Sequence, residues 1–257
     1  MPKTQTENRK ADQYDDPTYN YLKYWQGRDY ENESEEIAIK YLLRKKHFHH
    51  AIDIGGGYGR LSLLLSNYAD KVTLVEPSKQ QLDIAGNYLK GQVSIDKMLG
   101  QANKLKFADQ SIDLAIMIRV MHHLPDPTPE LREIARVLSD DGHLILEVAN
   151  FTHFRNKLKY GLKFKKFPVE PVDIRSEKNR KDSVIPFVNH NPKTVIKQLA
   201  HVGLKVERTL SVSNLRSPAL KKILPRQFML ALEKPMQTGL AKSYFGPSVF
   251  FMIKKAS

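Results

Sequence analysis

Four glycines fall within five positions, Gly55, Gly56, Gly57 and Gly59, directly after the apolar run Ala51-Ile52-Asp53-Ile54. Such a loop lets backbone approach a ligand with no Cβ in the way, and a strand that passes through it into a helix is a nucleotide-binding arrangement. A dinucleotide loop wants glycine at relative positions 1, 3 and 6. Here the sixth position is Arg60 counted from Gly55 and Ser62 counted from Gly57, while Tyr58 stands two after Gly56; the spacing is 1, 3, 5 instead. Further polar groups end successive strand-like runs: Glu76, 23 residues after Asp53, then Gln101 and Arg119. His122 and His123 follow the last of these runs. An imidazole titrates near pH 6.5, so either can take a proton from a hydroxyl or amine; the alternative is that both shape the turn before Leu124-Pro125-Asp126-Pro127.

These residues need a scaffold, and the rhythm of the chain supplies one. Strand-like runs at 50–55, 71–77, 92–100, 111–120 and 142–150 alternate with helical patterns at 59–69, 78–89 and 129–139. Several runs are apolar on both faces, as a parallel sheet covered by helices requires. The expected fold class is therefore α/β, a Rossmann-like, doubly wound, mainly parallel sheet of seven strands whose last strand is antiparallel. Ligands in such a sheet lie over the carboxyl ends of its strands. The chain divides into an N-terminal helical cap (1–46), with Ile37, Ile39, Tyr41 and Leu42 on its apolar face, a core (47–150), a basic insertion (151–192) and a closing part (193–257) with a helical insertion at 214–243. All are read as one domain, and residues 1–16 as a polar, mobile tail.

The run Asp53-Ile54-Gly55-Gly56-Gly57-Tyr58-Gly59 resembles the D-x-G-x-G-x-G motif of class I S-adenosylmethionine-dependent methyltransferases of the type 11-like group. "GQANKLKFADQSIDLAIM", "RVMHHLPDP" and "ELREIARVLSDDGHLIL" resemble that family's later segments in order, over roughly residues 50 to 150. The resemblance implies S-adenosylmethionine as cofactor, S-adenosylhomocysteine as product, and no metal. It assigns cofactor binding to Asp53, Gly55, Gly56, Gly57, Gly59, Glu76, Pro77, Gln101, Ala102 and Arg119. Glu76 takes the two ribose hydroxyls, which one carboxylate can accept together. Gln101 stands where the family has an acid for the adenine amino group, and its side-chain carbonyl can accept the same bond. "YWQGRDYE" is similar to N-terminal segments that fold over the cofactor in related small-molecule methyltransferases. Tyr24, Trp25, Arg28, Tyr30 and Asn150 thus form the expected substrate and lid set: an aromatic face for the sulfonium, and Arg28 for the methionyl carboxylate.

The charge is uneven. The 257-residue chain carries a net +13, yet residues 1–150 hold 19 Lys and Arg against 22 Asp and Glu, and residues 151–257 hold 22 against 6. Such asymmetry suits an anionic acceptor, a nucleic acid or a membrane surface, or only keeps the protein in solution. In 151–167, Phe151, Phe154, Leu158 and Leu162 share a helical face amid lysines, read as a lid on the pocket, with anionic lipid or phosphate binding as alternatives. There is no cysteine, no apolar run of membrane length and no signal-like N-terminus. A soluble, cytoplasmic protein is therefore expected. His47, His49 and His50 stand at the entrance to the first strand and are read as surface residues. The first functional reading is methyl transfer by in-line displacement to a small-molecule or lipid-linked acceptor. The alternatives are RNA methylation by the basic half and a non-catalytic S-adenosylmethionine-binding module.

Overall fold

In a computed structural model, residues 14, 25–92, 94–182 and 185–256 are described. Seven strands form one sheet: β1 (Phe48–Ile54), β2 (Ala69–Glu76), β3 (Ile95–Leu99), β4 (Ile112–Met117), β5 (Leu138–Ala149), β8 (Leu204–Val212) and β9 (Ser248–Lys255). Their order is β3-β2-β1-β4-β5-β9-β8. The first five run parallel, and β9 lies antiparallel between β5 and β8. A short ribbon, β6 (Val172–Asp173) with β7 (Val188–Asn189), stands apart.

Alternation along the strands explains the two-sided core. Ala51, Leu74, Leu114, Ile116 and Phe250 face one way, against α1 (Asp29–Leu43), α2 (Arg60–Leu65) and α3 (Lys79–Tyr88). Ile52, Ile54, Ala115, Met117 and Phe251 face the other, against α4 (Thr128–Val137) and α7 (Pro192–His201). Because successive side chains point to opposite faces, a strand buried on both is mostly apolar, and the buried acids here, Asp53, Glu76 and Glu147, stand at or near the carboxyl ends of their strands. Ser78 caps α3 by accepting from the Gln81 amide, 3.2 Å, and Asn191 caps α7 through the Lys193 amide, 3.1 Å. In the basic insertion, α5 (Phe154–Gly161) follows β5, and α6 (Glu177–Asp182) precedes β7. In the closing part, α8 (Pro218–Ile223) and α9 (Arg226–Gly239) lie between β8 and β9.

The buried face of α1 differs from the expected one. Ala38, Ile39, Leu42 and Leu43 are buried, but Ile37 and Tyr41 are only partly covered, and the same face carries Glu31, Ser34 and Glu35 inward. The reason is electrostatic. One Glu35 oxygen meets Arg60 at 2.6 Å and the other meets Arg119 at 2.5 Å, while Glu31 pairs with Lys221 at 2.6 Å. Burial pushes the Glu35 pKa up, and the Arg119 and Arg60 guanidiniums more than offset it, so the carboxyl titrates below its ordinary value. Removing one partner of a buried pair leaves the others uncompensated. Glu35→Ala is expected to lower unfolding stability by about 3–5 kcal/mol in guanidinium titration; a loss under about 1 kcal/mol would mean that the pair is solvated.

Candidate active site

A cavity of about 310 Å³ opens over the carboxyl ends of β1 to β4. Each strand delivers residues to it: Ile54, Gly55 and Gly57 after β1, Glu76 and Pro77 at β2, Gly100 to Asn103 after β3, Arg119 and Val120 after β4. The volume lies within the ~300–1,000 Å³ usual for small-molecule sites.

Glu76 organises the floor. One of its oxygens accepts from the Gly57 amide, 2.9 Å, and the other from the Ser78 amide, 3.0 Å, so the carboxylate ties the glycine loop to the start of α3. Gly55 and Gly57 hold φ of +66° and +60°, a region costly for residues with a Cβ. A Cβ on Gly55 would come within 2.5 Å of Val120 Cγ2. Gly56 and Gly59 support the loop from behind, where a Cβ would meet Leu74 or Leu89 at 2.6 Å. Asp53 is buried below the loop, accepting from Ser62 Oγ at 2.7 Å, and lines a small recess with Arg60 and Arg119 rather than the main cavity.

The wall beyond β4 carries the two histidines, which the structure separates. His123 lines the cavity. Its Nδ1 lies 3.0 Å from the Pro186 carbonyl oxygen, which can only accept, so neutral His123 carries its proton there. Nε2 then presents a lone pair to the Tyr14 hydroxyl at 3.0 Å. Tyr14 is itself held through its carbonyl by Ser78 Oγ at 2.9 Å. His122 is turned away into the protein, 4.4 Å from the Phe187 ring, and burial followed by its neighbour His123 pushes its pKa well below the ordinary value. It stays neutral and lies outside the cavity wall.

Two buried acceptors lining the cavity, Gln81 Oε1 and Glu130 Oε2, have no hydrogen-bond partner among the described residues. A buried acceptor without a partner costs free energy that a ligand donor recovers. Burial raises the Glu130 pKa. Together with the Glu76 carboxylate and the apolar faces of Ile54, Val120 and Leu124, these acceptors fit a ligand with hydroxyl and amino donors on a flat apolar body, as an adenosine is.

Of the expected substrate and lid set, Tyr24 lies outside the described residues. Trp25 is buried with its ring facing two guanidiniums, Arg60 at 4.0 Å and Arg119 at 4.9 Å, so that face holds arginine where a sulfonium was expected. Arg28, beside the start of α1, is not among the residues lining the cavity. Tyr30 donates to Glu233 on α9 at 2.8 Å, away from the cavity. Asn150 donates to the Tyr244 and Gly246 carbonyls, both at 2.7 Å, and accepts from the Thr152 amide and hydroxyl at 2.8 Å. Its polar groups clasp the end of β5 to the turn before β9. The insertion does reach the cavity, through Ile185. His47 and His49 close on Asp70 at the opposite end of the sheet, at 2.7 and 3.1 Å. Tyr14 lies in a tail that reads as polar, and Gln81 and Glu130 in ordinary helical patterns; contacts with His123 and Ser78 single out the first, and burial the other two.

The buried state of Asp53 is testable by pH. Burial pushes its pKa up from 3.8 to about 6, against the lowering effect of the Ser62 hydrogen bond. The folded protein thus binds this proton more tightly than the unfolded chain. The stability the group contributes is full below 3.8 and lost as pH rises through about 6. Relative to wild type, Asp53→Asn is expected to gain about 2 kcal/mol of unfolding stability between about pH 4 and pH 7. Chemical unfolding at both pH values checks it, and a pH-independent difference contradicts it.

Comparison with known proteins agrees with this geometry. Residues 52–146 match the family described as a methyltransferase domain. The methyltransferase YcgJ of Bacillus subtilis is 33% identical over 100 residues, 38% of this chain and 40% of YcgJ. The demethylmenaquinone methyltransferase of Lactobacillus johnsonii is 32% identical over 125 residues, 46% of this chain and 51% of that protein. The chain thus spans about half the length, or less, of these curated relatives. A crystal structure of an S-adenosylmethionine-dependent methyltransferase from Thermotoga maritima superposes with a TM-score of 0.60 at 23% identity, covering 91% of this chain and 94% of its own, which speaks for the fold. Through the glycine loop, the strand order and the family match, residues 52–146 belong to the methyltransferase-domain family, on the fold of the class I S-adenosylmethionine-dependent methyltransferases.

Proposed function

We propose that this protein transfers the methyl group of S-adenosylmethionine to a small-molecule or lipid-linked acceptor by in-line displacement at the methyl carbon. The observation that carries the reading is the single cavity in which Gly55, Gly57, Glu76, Gln101, Ala102 and His123 meet. Bound S-adenosylmethionine supplies a methyl carbon activated by its sulfonium. Glu76, already holding the loop, accepts the ribose hydroxyls. Gln101 and Glu130 accept from the adenine amino group, and the Ala102 amide addresses the ring. Asp53, Gly56 and Gly59 act from beneath by fixing the loop, and Arg119 by its backbone at the cavity wall. His123 Nε2 takes the proton of the acceptor hydroxyl or amine, in the position where it now meets Tyr14. The chain's main contribution is alignment, which can lower a barrier by roughly 7–11 kcal/mol.

An apolar acceptor is favoured by the lining of Ile54, Val120, Leu124 and Ile185. A relative named for demethylmenaquinone points the same way. All regions act as one methyltransferase domain, with residues 193–257 completing its sheet.

The test is transfer of labelled methyl to a panel of apolar phenols, quinols and amines. His123→Ala is expected to lower kcat by roughly 100-fold or more with KM for S-adenosylmethionine unchanged, whereas His122→Ala leaves kcat unchanged. Glu130→Ala is expected to raise KM for S-adenosylmethionine about tenfold, the cost of one hydrogen bond to a charged group. Wild-type turnover by His123→Ala would remove the general base, and cofactor binding without transfer to any acceptor would favour a non-catalytic module.

A further inference from the structure

The insertion carries a surface that the cavity does not use. Phe154, Leu158 and Leu162 recur at every fourth residue along α5 and its cap, and so stand on one helix face. Phe154 is half-exposed, with one ring face stacked on Phe245 at 4.8 Å; Leu158 and Leu162 are more open, Leu162 by 74%, and Phe164 beyond them by 98%. The backbone holds them there. The Phe164 amide donates to the Gly161 carbonyl at 3.1 Å and the Lys165 amide to the Tyr160 carbonyl at 3.0 Å. Beneath, Tyr160 stacks on Phe167 at 5.0 Å and meets Phe151 edge-on at 5.7 Å. The exposed apolar residues therefore project from a packed base.

The charge around them has one sign. Between residues 154 and 167 stand Arg155, Lys157, Lys159, Lys163, Lys165 and Lys166, with no Asp or Glu. Among the described residues none of the six is in an ion pair, and only Lys157, which donates to the Ser243 carbonyl, is turned inward enough to be half-buried. A face both apolar and uniformly basic repels a second copy of itself and leaves a wholly apolar partner's groove with stranded charge. Its complement is a layer that is anionic outside and apolar a few ångströms deeper. Lysine stems lie along such a boundary with their ammonium groups at the headgroups.

We infer that α5 and the turn after it, through Phe154, Leu158, Leu162, Phe164 and the flanking lysines, dock this protein on the surface of an anionic phospholipid bilayer. Among the described residues no helix is long and apolar enough to cross a membrane, so the contact is interfacial. RNA is the less fitting partner. Phe164 can stack on a base, but Phe154 already stacks on Phe245, Leu158 and Leu162 offer nothing to stack, and five of the six cations are lysine, a point charge suited to a diffuse anionic layer rather than to bidentate phosphate contacts. Location adds a consequence. The segment starts five residues beyond the end of β5, on the carboxyl edge of the sheet where the cavity opens, and the same insertion supplies Ile185 to the cavity wall. Docking brings that edge to the lipid. The docking itself does not depend on the methyl-transfer reading; only its use for a lipid-linked acceptor does.

The experiment is co-sedimentation of the full chain with vesicles of phosphatidylcholine alone and with about 30% phosphatidylserine added, at rising salt. Wild type is expected in the pellet with the anionic vesicles and in the supernatant with the neutral ones. The pair Leu158→Asp and Leu162→Asp, and separately Lys163→Gln with Lys165→Gln and Lys166→Gln, are each expected to weaken vesicle binding at least about tenfold. Both variants should keep the wild-type melting temperature and wild-type affinity for S-adenosylmethionine, which separates lost docking from a lost fold or cofactor site. Wild type that stays in the supernatant, or a leucine variant that pellets like wild type, overturns the inference. So does binding of an unstructured RNA oligonucleotide about tenfold tighter than anionic vesicles, which would assign the patch to nucleic acid.

Discussion

The hydrogen bond from the Gly57 amide to the Glu76 carboxylate is the contact on which the site depends. Parallel pairing sets Ile54 beside Val75, and the Gly55 amide reaches the Val75 carbonyl at 2.7 Å. The glycine loop and the end of β2 are therefore held side by side before any ligand arrives. Glu76 completes that junction by bonding the loop with one oxygen and the α3 cap residue Ser78 with the other. A carboxylate fixed by backbone amides is a preorganised acceptor, so ligand hydroxyls meet it without a rearrangement to pay for.

A second junction sits on the far side of the loop. Arg119 stands just after β4 with φ at +59°, uncommon for a residue with a side chain. Two buried acids secure it. Its guanidinium binds Glu35, and its amide donates to Glu147 at 3.2 Å, with Ser248 donating to the other Glu147 oxygen at 2.7 Å. Burial raises the Glu147 pKa against the opposing effect of Arg119. The strain is thus held by neighbours from α1, β5 and β9, and it sets the start of the chain segment that carries His123 to the cavity. Strands that meet no ligand still determine where the histidine stands.

Much of this was legible beforehand because it is written in short-range patterns. The two-faced apolar strands, the 1, 3, 5 glycine spacing and the acid at the end of β2 each follow from local sequence, and they are the parts that assemble the cavity floor. What escaped depends on long-range burial. Glu31 and Glu35 look like solvated charges on α1 until their partners arrive from α8, α2 and the end of β4. Trp25, Tyr30 and Asn150 are chemically apt for a ligand, yet guanidiniums, Glu233 and backbone carbonyls claim them first. The insertion reads as a lid, and Ile185 does line the cavity, but α5 turns its apolar residues outward. Helical periodicity says which residues share a face and nothing about what that face meets.

The central claim is that the cavity gathered around Glu76 binds S-adenosylmethionine. Calorimetric titration with S-adenosylmethionine and, in parallel, NAD tests it most directly, with Glu76→Ala as the control. The account predicts saturable binding of S-adenosylmethionine alone, weakened at least about tenfold in Glu76→Ala as ribose and loop hydrogen bonds are lost. Binding of NAD in preference, or a folded Glu76→Ala that binds S-adenosylmethionine as tightly as wild type, would contradict it.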